Sequence, residues 1–152
     1  MDIFLGAAIG GMVGFVLALP AIIFESMRRQ KNLPVLVDVK EIFGKRLTHE
    51  ELFVVSLFLH LILATLAGGI YTMFAEQGWL FITNAPYALH SILIFSAFAW
   101  VVTGGLIFPA LHLGFFGRHE GKHVWFELLI LQMLTAVGLW LGFSYYQPFF
   151  FG

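Results

Sequence analysis

Six histidines are the residues of this chain best suited to chemistry, and three of them fall within residues 112–123. Residues 118–123 read Arg-His-Glu-Gly-Lys-His, which contains the pattern His-Glu-x-x-His. On a helix, His119 and His123 stand one turn apart on one face. Two imidazoles so placed can hold zinc, and Glu120 between them can act as the base that activates a bound water. Glu127 continues the four-residue series, but residues spread over three successive turns span about 12 Å and cannot all reach one ion. A third ligand has to come from elsewhere: His112, or His49 or Glu51 from the other cytoplasmic loop. Gly121 weakens the helix that must present both imidazoles. The competing reading is a wet loop in which Glu120, His123 and Glu127 lie near Lys122 and Arg118. A metal site without catalysis stands between the two. Zinc is the ion such a site would take, and no other cofactor is expected.

His60 is the second candidate, because it lies within a long apolar stretch, with Ser56 one turn before it and Ala64 one turn after. An ionisable residue at that depth is a functional candidate by default. It can act as a neutral hydrogen-bonding group between helices, as a proton relay, or as a haem ligand. A two-ligand haem needs partners at matching depth on two helices. At the level of His60 the neighbouring apolar stretches offer Trp100, Gln132 and Met133, whereas His90 lies near the opposite face. Only His60 with Met133 could hold the group within one chain. The pattern His-Glu-x-x-His also occurs in membrane-embedded metalloproteases. The resemblance covers only residues 119–123, with no second motif on a later helix.

The elements that must position these residues are membrane spans. The chain is 60% hydrophobic and 11% charged, with 18 Phe and no Cys. A soluble domain is usually about 45–50% apolar and about 25% charged. Without cysteine there are no disulfides, iron–sulfur clusters or thiolate metal sites. A net charge of −1 gives no argument for nucleic acid. Phosphate-binding glycine loops, nucleophilic-serine elbows and lipidation motifs are not found. A bilayer core needs about 20 apolar residues per helix. Four stretches qualify, at 3–24, 52–74, 87–108 and 123–145, giving an all-α four-transmembrane-helix bundle in a single domain. The opening Met-Asp-Ile-Phe lacks the basic leader of a secretory signal, so the first stretch reads as an uncleaved helix.

Charge placement orients the bundle. All 8 Lys and Arg fall between helices 1 and 2 or between helices 3 and 4. The positive-inside rule makes those loops cytoplasmic and both termini non-cytoplasmic, as in a bacterial inner membrane. With no polybasic tract, topology explains these residues better than lipid or nucleic acid recognition. Trp79, Phe81, Trp140, Tyr145, Tyr146 and 149–151 mark the outer interface, and Trp125 the inner one. In the first loop, Pro34, Val35, Val39, Ile42 and Phe43 suit a short interfacial amphipathic helix over 34–43, with an alternating strand as the competing reading. Thr48 and Glu51 form a capping box for helix 2, and Asn84 is expected to cap helix 3.

Small residues mark packing faces, because apolar attraction alone does not join helices in lipid. They are Gly6, Gly10 and Gly14 in helix 1; Ala64, Ala67, Gly68 and Gly69 in helix 2; Ala97, Gly104 and Gly105 in helix 3; and Gly138 and Gly142 in helix 4. Such faces serve packing inside one bundle, or dock another subunit, helix 1 being the best placed. Pro20-Ala21-Ile22 with Arg29 matches Pro109-Ala110-Leu111 with Arg118 at equal separation, a faint sign of two related hairpins. Nearly all of the chain is spent on spanning and packing. The functional expectation is therefore a non-enzymatic accessory or structural subunit of an oligomer or larger membrane assembly. A metal-binding protein using His112, His119 and His123 is the alternative, and a small transporter or proton pathway using His60 is a further one.

Overall fold

The structure is a computed structural model that describes residues 2–26, 41–42, 45–46, 48–79, 85–119 and 121–150. Helices α1 (Ile3–Ser26), α2 (His49–Glu76), α3 (Leu89–Val102), α4 (Phe108–Ala110) and α5 (Val124–Phe150) dominate it. A π-helical turn over Thr103–Ile107 joins α3 to α4 into one rod. Four segments are long and apolar enough to cross a bilayer: Ile3–Ile23, Glu51–Glu76, Leu89–Ala110 and Val124–Tyr146. They match the four expected stretches to within three residues or fewer at every end.

Local chemistry sets the helix starts. The Asp2 carboxylate accepts from the Phe4 N–H at 3.2 Å, which places an anion at the positive end of α1. The expected capping box opens α2: the Thr48 hydroxyl accepts from Glu51 N–H, and Glu51 Oε2 accepts from Thr48 N–H at 3.0 Å. Helix α3 differs from expectation. Asn84 lies outside the described residues, and α3 begins only at Leu89, with Ala88 at the cap and no side-chain bond there. Residues 85–88 form a turn instead, held by the Ser91 hydroxyl donating to the Ala85 carbonyl at 2.6 Å. Pro86 is thus part of that turn, not of the first helical turn.

The first loop also departs from expectation where it is described. Most of the amphipathic helix expected over 34–43 lies outside the described residues. At its end, Glu41–Ile42 (β1) is extended and pairs antiparallel with Lys45–Arg46 (β2), in the register Glu41↔Arg46 and Ile42↔Lys45. That register leaves two residues, Phe43-Gly44, for the connection.

Helix α1 lies along α2, α3 lies along α5, and α1 against α5 joins the two pairs, whereas α2 and α3 barely touch. The α1–α2 contact is made by small residues. A Cβ on Gly10 would strike the Ala64 carbonyl oxygen and lie 3.1 Å from Gly68 Cα. One on Gly68 would lie 2.9 Å from Gly10 Cα. The two backbones therefore touch. The adjacent face of α1 carries knobs, with Val13 seated on Gly138 of α5 and Ile9 on Gly142. Toward the aromatic end, a cluster of Ile9, Tyr71, Ile92, Phe95, Leu139 and Phe143 fills the interior. Tyr71 meets Phe95 edge-on at 5.1 Å and stacks on Phe143 at 5.6 Å.

The two Pro-Ala segments behave differently. Pro20 lies inside α1, which continues to Ser26, whereas Pro109 lies at the end of its rod just past the π turn. Proline offers no N–H to the carbonyl four residues back, so the turn before it can widen. The Phe108 N–H accordingly bonds to the Thr103 carbonyl, five residues earlier.

Backbone contact between α1 and α2 leaves no room for a methyl group. Gly10→Ala should destabilise the bundle by roughly 1–3 kcal/mol. Gly105→Ala, whose nearest neighbour would be Phe115 at 3.7 Å, should leave stability unchanged. Thermal unfolding followed by tryptophan fluorescence in mild detergent compares them. Equal stability of the two variants would show that α1 and α2 do not meet at Gly10.

Candidate functional site

Two places collect polar side chains. The first lies within the bundle. His60 is buried at 7% exposure, and its Nε2 lies 2.9 Å from the Gly14 carbonyl of α1. A carbonyl only accepts, so Nε2 carries the proton, and in the neutral ring Nδ1 keeps the lone pair. Gly14 makes this reach possible, because a Cβ there would press on Ala64 at 2.6 Å. Beside His60 is a void of about 30 Å³ whose polar lining is Ser56, His60, Gln132 and Thr135. That volume suits a single water. The void brings together His60 and Gln132, which were expected at matching depth. Trp100 points elsewhere, its Nε1–H donating to the Trp125 carbonyl at 3.0 Å.

Three hydroxyls inside the bundle are satisfied by their own helix. Thr65, Thr72 and Thr135 each donate to the carbonyl four residues back, at 2.8–2.9 Å. Two groups stand apart. The Tyr71 hydroxyl is buried without a partner among the described residues. The Gln132 side chain has no hydrogen bond among the described residues, and it lines a second cavity as well. That cavity, about 140 Å³, is the seam between α2 and α3, with apolar walls that include Leu66, Ile70, Phe95 and Phe98. Gln132 is eight residues into α5, hence about 12 Å along it and close to mid-bilayer.

The second place is the segment 111–123 at the end of the bundle that carries the basic residues. The chain turns there through four left-handed backbone positions: His112 (φ 63°), Gly114 (78°), Phe116 (52°) and Gly117 (71°). Gly114 and Gly117 adopt this at no steric cost, whereas His112 and Phe116 are held in it by packing. Leu113 and Phe108 are fully buried beneath the turn with Val124 and Leu128. The Phe116 ring folds back onto Gly104 of the π turn, where a Cβ would collide with it, and lies 4.8 Å from Trp100.

The histidine motif sits in this turn and not on a helix. Residues 118–123 precede α5, which begins at Val124, so His119 and His123 do not share a helical face. Both are exposed, and Glu120 lies outside the described residues. His119 is drawn toward His112 instead, its Nδ1 lying 3.2 Å from the His112 carbonyl. This leaves Nε2 of His119 as the lone-pair nitrogen of the neutral ring. Among the described residues, no three of His, Asp or Glu converge as a metal site would require. Glu127 lies in the first turn of α5.

Sequence reasoning missed the π turn, the Phe116–Gly104 contact and the Trp100–Trp125 bond. Gly104-Gly105 four to five residues before Pro109 was the available signal for the first. Comparison with protein-family models, curated proteins and solved structures gives no match to this chain.

His60→Ala removes one interhelical bond and should destabilise the bundle by roughly 0.5–1.5 kcal/mol in a denaturing-detergent titration. His60→Gln, which keeps an N–H donor, should recover part of that. Identical stability of all three proteins would mean that the His60–Gly14 bond contributes nothing.

Proposed function

We propose that this chain is a non-enzymatic accessory or structural subunit of a membrane assembly, and that the seam between α2 and α3 receives a partner's transmembrane helix. The observation that carries this reading is the Gln132 side chain, at mid-bilayer depth and without a hydrogen bond among the described residues. A polar group in hydrocarbon finds a partner or costs stability. Among the described residues, α2 and α3 touch chiefly through Tyr71, Phe74 and Phe95, and beyond those rings the two helix pairs leave this seam between them. Its apolar walls suit a helix, and Gln132, which lines both the seam and the void beside His60, would be met by a polar side chain at the same depth. The glycine face of α1 is already spent on α2, so the docking face lies across the bundle from it. The basic residues of the two loops support a reading in which that end faces the cytoplasm across a bacterial-type inner membrane, with both termini opposite.

The chain has no cysteine, so a single photo-crosslinking residue can be introduced at Phe98, which is 60% exposed beside the seam. A discrete protein adduct is expected in native membranes, and it should be lost on Gln132→Leu. The same crosslinker at Phe15, on the exposed side of α1, should give none. An adduct of twice the chain mass would make the partner a second copy. Lipid adducts alone at Phe98, with a monomer in mild detergent, would remove the proposal.

A second reading is supported by the void beside His60. Its polar lining suits one ordered water, which with His60 Nδ1 could relay a proton. His60→Ala should then change proton flux into liposomes containing the protein. Flux equal to that of the unaltered protein would count against a relay.

A further inference from the structure

The basic end of the bundle holds a larger cavity, of about 610 Å³, lined by Phe115, Phe116, Arg118, Gly121 and Lys122 together with Trp100 and Trp125. Its composition is divided. Arg118 and Lys122 are both exposed and supply its charge, and neither is paired with a carboxylate among the described residues. Trp100, Phe115, Phe116 and Trp125 supply its apolar walls. The walls are held in place: Trp100 by its bond to the Trp125 carbonyl at 3.0 Å, and Phe116 by Trp100 at 4.8 Å and by Gly104 behind it. The left-handed positions at Phe116 and Gly117 immediately precede Arg118, which lines the same cavity as these rings. Trp125 is the second residue of α5, so the positive end of that 27-residue helix faces the same region.

We propose that this cavity binds the phosphate headgroup of an anionic phospholipid, with the first part of its acyl chains lying along the tryptophans. The arrangement has the polarity of such a molecule. Two cations and a helix N-terminus meet the phosphate, while the aromatic walls run from the span ends of α3 and α5 into the hydrocarbon. A free phosphate would use the cations and leave four aromatic rings without a role. The loop sequence alone carries too few basic residues to read as a lipid-binding tract. It is the fold that brings two of them over an aromatic floor.

Tryptophan quenching in vesicles tests this on the full chain with Trp79 and Trp140, which lie toward the other end, replaced by Phe. Brominated phosphatidylglycerol, diluted in phosphatidylcholine, should quench Trp100 and Trp125 at roughly tenfold lower mole fraction than brominated phosphatidylcholine does. Arg118→Gln with Lys122→Gln should bring the two lipids together, whereas Lys45→Gln with Arg46→Gln in the other loop should leave the preference intact. Equal quenching by both lipids overturns the proposal. So does a preference that survives loss of Arg118 and Lys122, or one lowered as much by the changes at Lys45 and Arg46, which would indicate diffuse attraction only. Abolition of the preference by millimolar inorganic phosphate at constant ionic strength would assign the site to free phosphate and not to lipid. Retained helical circular dichroism in each variant keeps a folding defect from being read as a binding one.

Discussion

The contact between the backbones of α1 and α2 at Gly10 and Gly68 governs the rest of the structure. Lipid does not squeeze apolar helices together, so association rests on close packing and on polar contacts between helices. Glycine on both sides supplies the first. It also allows the second, because Gly14 brings its carbonyl within reach of His60 at 2.9 Å. Once α1 is committed to α2 on this face, its bulkier face is left for α5. There, Val13 and Ile9 meet Gly138 and Gly142 in the complementary sense. The order of helices around the bundle follows from where glycine stands on each of them.

A second constraint operates at the basic end. Pro109 cannot donate to the carbonyl four residues back, and the rod of α3 and α4 widens into a π turn just before it. That turn contains Gly104, which leaves a recess for the Phe116 ring. The chain must reverse sharply to bring Phe116 there, and it does so through left-handed positions at His112 and Phe116 as well as at two glycines. Non-glycine residues persist in that region only where surrounding packing holds them. Buried Leu113 and Phe108 provide this packing. The histidine motif is thereby placed in a turn, where its spacing has a different meaning from the one it has on a helix.

The interior is uneven in polarity. Toward the aromatic end it is filled by Tyr71, Phe95 and Phe143. Nearer the basic end, Ser56, His60, Gln132 and Thr135 surround a water-sized void. Gln132, without a hydrogen bond among the described residues, connects this region with the open seam between α2 and α3. An amide there is poorly matched to lipid. A partner that completes the bundle would resolve the mismatch and would bind where the chain itself leaves a gap.

Length and hydropathy alone were enough to place the four spans, and the Thr48–Glu51 capping box was legible because it depends on residues three apart. His60 and Gln132 could be set at equal depth by counting from the span ends. Which face of each helix turns inward could not be read. In water, a polar face and an apolar face distinguish outside from inside, but in lipid both faces are apolar and that contrast disappears. The glycine stripes marked surfaces for close approach without naming their partners, since fit between α1 and α2 is a relation between residues some 50 positions apart. The first loop was misjudged at Glu41–Ile42 because alternation and helical spacing coexist over a few residues. The histidine motif was ambiguous because its spacing is meaningful only on a helix. Whether a helix forms there depended on Phe116 reaching Gly104, a contact that only the tertiary structure decides.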